Sequence, residues 1–177
     1  MHMLASRIGL SLFGLTLVSS AQAATTVTGQ ITSSLILISS CQVNGLGGSS
    51  GLDFGALNFG TANSLFTTKD AQVLGSSGAL SILCSSGTTP SVKVRAGAHD
   101  GLSVGGSRAL YDGVANYVPY DLYTDAGHSQ LLTIDGVINL DPSTGVAQTV
   151  NIYGQAKGKA GLPAGTYSDT ISVELTF

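Results

Sequence analysis

From Thr25 to Ile38 polar and apolar residues alternate. Val27, Ile31, Leu35 and Leu37 occupy odd positions, spaced by Gly29 and Ser33, while Thr28, Gln30, Thr32 and Ser34 occupy even ones. Side chains of an extended chain point alternately to opposite faces, so the odd set forms one apolar row. Ile36 and Ile38 break the alternation, as if both faces become covered there. The pattern predicts a strand with no local hairpin partner, because a Gly/Ser-rich loop follows Cys41. Such a strand pairs either within its own domain, as an ordinary first strand, or with another molecule.

The same two-residue period predicts strands farther on. Ala79–Cys84 puts Leu80, Ile82 and Cys84 on one side; Ser91–Ala96 puts Val92, Val94 and Ala96 opposite Lys93 and Arg95. Tyr117–Thr124 aligns Val118, Tyr120 and Leu122, and Gly145–Tyr153 carries Val146, Val150 and Ile152. The cleanest alternation is Thr166–Phe177, with Tyr167, Ile171, Val173, Leu175 and Phe177 on one face. Gly-rich loops are expected at Gly45–Gly51 and His99–Ser107, and a turn region at Lys157–Gly165. No helical period appears. Short strands between turn signals predict an antiparallel sandwich or barrel.

Residues 1–23 read differently. Arg7 is followed by an apolar run, Ile8–Val18, and by Ala21-Gln22-Ala23, a small-x-small cleavage pattern. The run is shorter than the about 20 residues a spanning helix needs, so a signal peptide is expected. Removing 23 of 177 residues leaves 154 and takes away one of seven basic residues, so against ten acids the formal charge becomes −4.

That mild acidity, without a basic patch, excludes nucleic acid and anionic lipid as expected partners. Charged residues are 10% of the chain, against about 25% in an average globular protein, and Gly is 24 of 177. This composition favours strands and turns, and one domain. Cys41 and Cys84 are an even pair in an exported chain, most simply a disulfide closing a loop of about 42 residues, worth roughly 4 kcal/mol on the chain-entropy view. A metal site or a catalytic thiol is the rival reading; the absence of CxxC and the scattered histidines weigh against both.

Catalytic signals are weak. Gly47-Gly48-Ser49-Ser50-Gly51 matches the G-x-S-x-G string but lacks the preceding strand and following helix that string requires. His99 and His128 sit in loop-like sequence beside Gly or Asp, and Asp121 and Asp125 flank a strand end where turn roles are ordinary. No catalytic residue, metal ligand or cofactor is assigned.

Several segments, in order, resemble the spore coat protein U domain family, which includes the major subunits of archaic chaperone–usher pili. They are Phe54-Gly-Ala-Leu-Asn-Phe-Gly60, Tyr120-Asp-Leu-Tyr-Thr-Asp125, Val150-Asn-Ile-Tyr-Gly154, Pro163-Ala-Gly-Thr-Tyr-Ser-Asp-Thr170 and Val173-Glu-Leu-Thr-Phe177, with Val27–Ile31 and Cys41 upstream. The resemblance implies an incomplete immunoglobulin-like antiparallel β-sandwich completed by a donor strand. It divides the chain into a signal peptide (1–23), a donor segment (24–40) and a pilin-like sandwich (41–177). Val27, Gly29, Ile31, Leu35 and Leu37 would be the donor row. Tyr167, Ile171, Val173, Leu175 and Phe177 would border the groove that accepts it. Implied partners are identical or related subunits, a periplasmic chaperone and an outer-membrane usher, with export to the cell surface and a role in adhesion and biofilm. Two alternatives are an outer-membrane β-barrel, suggested by export and the terminal Phe177, and a secreted monomeric coat or sugar-binding module that completes its own sandwich.

Overall fold

A computed structural model describes residues 24–177; the expected signal peptide lies outside the described residues. Two units are distinguished, and the described part of the first, residues 24–36, has no strand assignment.

The second unit, Leu37–Phe177, is all-β among the described residues. Its strands are β1 (Cys41–Val43), β2 (Leu46–Gly47), β3 (Ala56–Leu57), β4 (Thr68–Gly75), β5 (Gly78–Cys84), β6 (Ser91–Gly97), β7 (Arg108–Tyr111), β8 (Tyr117–Tyr123), β9 (Leu131–Leu132), β10 (Gly136–Asn139), β11 (Gln148–Val150), β12 (Tyr153–Lys157) and β13 (Ile171–Thr176). All pairings are antiparallel. The larger sheet runs β2-β1-β5-β4-β12-β8-β7, with β11 on β5, β3 on β4 and β9 on β8; the smaller runs β10-β6-β13. Both sheets end in free edges, so the sequence's barrel alternative is set aside.

The inward rows of the two sheets share one core. Leu80 and Ile82 of β5, Val92 and Val94 of β6, and Val118, Tyr120 and Leu122 of β8 are buried together, as their alternation requires. Cys41 faces Cys84 across the β1–β5 pair, and the disulfide is formed. Ala96 departs from its expected row and is exposed, near the end of β6.

Three strands have little alternation to betray them. β4 carries Lys69, Asp70 and Gln72, packs Val73 against the core, and is held by five register pairs to β12. β7 opens with Arg108, fully buried, whose Nη1 donates to the Arg95 carbonyl (3.0 Å) and lies 3.6 Å from Asp100. β10 is four residues long. The expected strand Gly145–Tyr153 is instead divided: β11 pairs with β5, then β12 with β4 and β8, so strand continues to Lys157 where a turn was expected.

The C-terminal strand is shorter than the alternation predicts. Ser168 exchanges two backbone hydrogen bonds with Tyr111, and the buried Asp169 side chain is drawn toward β6 and β8. The chain therefore joins the β6 ladder only at Ile171, with a register shift before Val173.

Candidate functional site

A groove lies open beside β13. Two adjoining clefts, of about 640 Å³ and about 950 Å³, share Ala56, Leu57, Phe59, Leu110 and Asp169. One lip is the segment from Gly51 to Ser64; the other is Leu162 to Val173. The floor is the core itself, with Leu80, Val94, Leu122 and Ile152 in the first cleft and Val118 and Ala156 in the second.

Local sequence builds the first lip. Asp53-Phe54-Gly55 and Asn58-Phe59-Gly60 are two copies of one turn: each Asx oxygen accepts the glycine N–H two residues on (2.7 and 2.8 Å), and each glycine has positive φ (103° and 69°). A Cβ on Gly55 would lie 2.5 Å from the Leu74 carbonyl oxygen, so no other residue fits there without a shift. Each turn sets a Phe against the core. Gly154 of β12 makes the room: a Cβ there would fall 2.6 Å from Leu57 and 3.1 Å from Phe59. The Phe-Gly repeat was visible in the sequence; its paired Asx residues were the further signal that these are turns supporting a wall.

The second lip runs into β13, an edge strand that among the described residues is hydrogen-bonded to β6 alone. Ile171, Val173 and Leu175 are half-buried, and the first two line the cleft; Ser172, Glu174 and Thr176 are exposed. On the exposed face Arg95 bridges Glu174 (3.1 Å) and Asp135 (3.0 Å). Tyr167 precedes the strand, half-buried, its hydroxyl donating to the Pro163 carbonyl (2.9 Å). Phe177 follows it, half exposed.

Among the described residues, the N-terminal segment is a row without a partner strand. Val27, Ile31, Leu35 and Leu37 are 81–97% exposed, as are Ile36 and Ile38, and nothing lies within 4 Å of a Cβ built on Gly29. Where the chain enters the sandwich it is pinned: Ser40 N–H donates to Ser85 Oγ (3.0 Å), and its carbonyl accepts from Ser85 N–H (2.9 Å).

The weak catalytic candidates have structural roles. Gly47–Gly51 leaves a two-residue strand for a bend, with no helix after it. Asp125 caps a turn, accepting from the Ser129 and Gln130 N–H groups. Asp121 is a buried strand residue; burial alone would raise its pKa, but hydrogen bonds from Ser107 and Lys157 outweigh that and hold the carboxylate below its ordinary value. His128 packs edge-on against Tyr123, and His99 Nδ1 lies 3.0 Å from Asp169. Among the described residues no cluster of three or more His, Cys, Asp or Glu could hold a metal.

The family model of the Spore Coat Protein U domain matches residues 21–174. The chain belongs to that family. The family is structural rather than enzymatic. No curated protein matches the chain. Among solved structures, one similar chain comes from the CsuC–CsuE chaperone–tip adhesion subunit pre-assembly complex of archaic chaperone–usher Csu pili of Acinetobacter baumannii. Identity is 17% and the TM-score 0.48, over 79% of this chain and 40% of that one; this chain therefore spans well under half of that chain's length.

Proposed function

We propose that this Spore Coat Protein U domain protein is a chaperone–usher pilus subunit that polymerises by donating residues 25–38 to the open groove of another copy. The observation that carries this reading is a pair of complementary deficits among the described residues: an apolar row with no strand partner, and an apolar groove beside a strand with one free edge. Strand addition satisfies both, since main-chain hydrogen bonds extend the sheet and alternate side chains fill the groove. Burying Val27, Ile31, Leu35 and Leu37 yields about 6–12 kcal/mol gross, at about 1.5–3 kcal/mol each. Ordering a flexible segment offsets part of that.

On this reading a periplasmic chaperone covers the groove first, an outer-membrane usher exports the subunit, and the fibre stands on the cell surface in adhesion and biofilm. The test is deletion of residues 25–38. Fibres on the cell surface, and the ladder of polymers in unboiled gels, are expected to disappear, while the truncated subunit is still recovered with its chaperone. Fibres built from the truncated chain would refute the donor role. A wild-type protein that stays monomeric without a chaperone would favour a secreted module instead.

A further inference from the structure

An empty apolar groove is unstable toward closure, because side chains lining a void forfeit contacts they would regain by moving together. Something must hold these lips apart. Tyr120 lies on the floor and touches both. Its hydroxyl donates to Asp169 Oδ2 (2.7 Å), at the start of the β13 lip. Its ring meets Phe59 of the other lip edge-on, centroids 5.9 Å apart. Tyr120 belongs to the larger sheet, through β7 and β12, whereas Asp169 leads into the smaller one, so the bond crosses between sheets.

Both ends of the link are fixed. The Asp169 side chain is 2% exposed, and its Oδ1 accepts from Ala98 N–H (3.0 Å) and faces His99 Nδ1. Gly97 makes room for it: a Cβ there would lie 2.5 Å from Asp169 Oδ2. Tyr120 is itself 1% exposed, and burial, reinforced by the Asp169 carboxylate, pushes its phenol far above the ordinary range, so it keeps the proton it donates.

We infer that Tyr120 and Asp169 are positioning residues, a strut that sets the width of the vacant groove and keeps it receptive to an incoming strand. This deepens the polymerisation reading and rests on it. A strut of this kind acts before the strand arrives: it raises the fraction of empty grooves that are open, and so the rate of uptake. It is present equally in the filled groove and in the open one left behind, so it leaves the release rate alone.

The experiment is uptake and release of a labelled synthetic peptide, residues 25–38, by the full chain held dilute enough that it does not polymerise. Tyr120→Phe is expected to slow uptake about tenfold or more, the scale of a lost hydrogen bond to a charged group, with release changed less than about twofold. Asp169→Asn, whose amide can donate to the phenol oxygen where the carboxylate accepted from it, is expected to fall between, and serves as the test should Tyr120→Phe not fold. Glu174→Gln, on the outer face of β13 where the side chain meets Arg95 and not the strut, is expected to leave uptake unchanged. Wild-type uptake by Tyr120→Phe, or faster release without slower uptake, overturns the strut while leaving polymerisation intact. Refusal of the peptide by the wild-type chain overturns the polymerisation reading, and the strut with it.

Discussion

The sandwich treats the strand that opens it and the strand that closes it in opposite ways. β1 is three residues long, yet it is tied to β5 by a disulfide at its first residue, flanked by β2, and preceded by the reciprocal Ser40–Ser85 bonds. β13 is six residues long, pairs with β6 alone, and keeps its apolar row only half-covered. Exposed edges invite pairing, and soluble proteins commonly shield them with charge, proline or a covering segment. Here Arg95, Glu174 and Asp135 decorate the outer face of the small sheet, while Ile171 and Val173 face the groove without charge among them. Stability has been concentrated where the chain enters the domain, and an unmet demand left on its last strand.

The largest effect is expected at the closed side. Replacing Cys41 and Cys84 together by Ser should remove roughly 2–5 kcal/mol of unfolding free energy, read as a fall in the urea midpoint. Because neither cysteine lines either cleft, peptide uptake by the fraction that stays folded should be little changed. Equal loss of both would mean that the two sides are not separable.

A pH titration probes the strut from the other direction. The folded phenol of Tyr120 is raised above the tyrosine value near 10 by burial and then by the Asp169 carboxylate. Stability is therefore unaffected by this group below about pH 10 and declines above it, as the unfolded chain ionises and the folded one does not. One pH unit above 10 corresponds to about 1.4 kcal/mol. Wild-type protein should lose stability faster than Tyr120→Phe as pH is raised from 10 to 11, measured by urea unfolding at each pH. Parallel curves would place the Tyr120 hydroxyl in solvent.

Val173→Ala is smaller still. On a half-buried residue it should cost about 1 kcal/mol of subunit stability but weaken binding of the peptide of residues 25–38 severalfold, since Val173 lines the groove. A stability loss rivalling that of the disulfide would make β13 an ordinary core strand.

The sequence carried these features unevenly. Rows such as Leu80-Ile82-Cys84 and Ile171-Val173-Leu175 were legible, because period-two alternation records which side meets the core. The disulfide was legible from two cysteines in a chain expected to be exported. β4 and β7 were not: Asp70 and Gln72 share one face of a strand held by its neighbours' backbones, Lys69 lines the second cleft on the other, and Arg108 is a buried charge where alternation leads one to expect an aliphatic. The strut was hidden for another reason. Tyr120 and Asp169 are 49 residues apart, and nothing local in either stretch records that one will donate to the other. The late start of β13 has the same origin, in an aspartate pulled inward by partners distant in sequence.

The finest test of the comparison sits one residue from Val173. Glu174 points away from the groove and meets Arg95 Nε at 3.1 Å, with both side chains about half exposed. An exposed pair of this kind is worth about 0.2–1 kcal/mol and is screened by salt. Arg95 retains Asp135 at 3.0 Å when Glu174 is changed, which lowers the expected cost further. Glu174→Gln should therefore shift the thermal midpoint only slightly, and less at high salt, with peptide uptake unaltered. Val173→Ala and Glu174→Gln thus form a matched pair on adjacent residues whose side chains leave the strand on opposite sides. If β13 offers one face to an arriving strand and the other to water, only the first change weakens uptake. Equal impairment by both would mean that the strand is gripped on its charged side as well, and that the groove is not where the second copy binds.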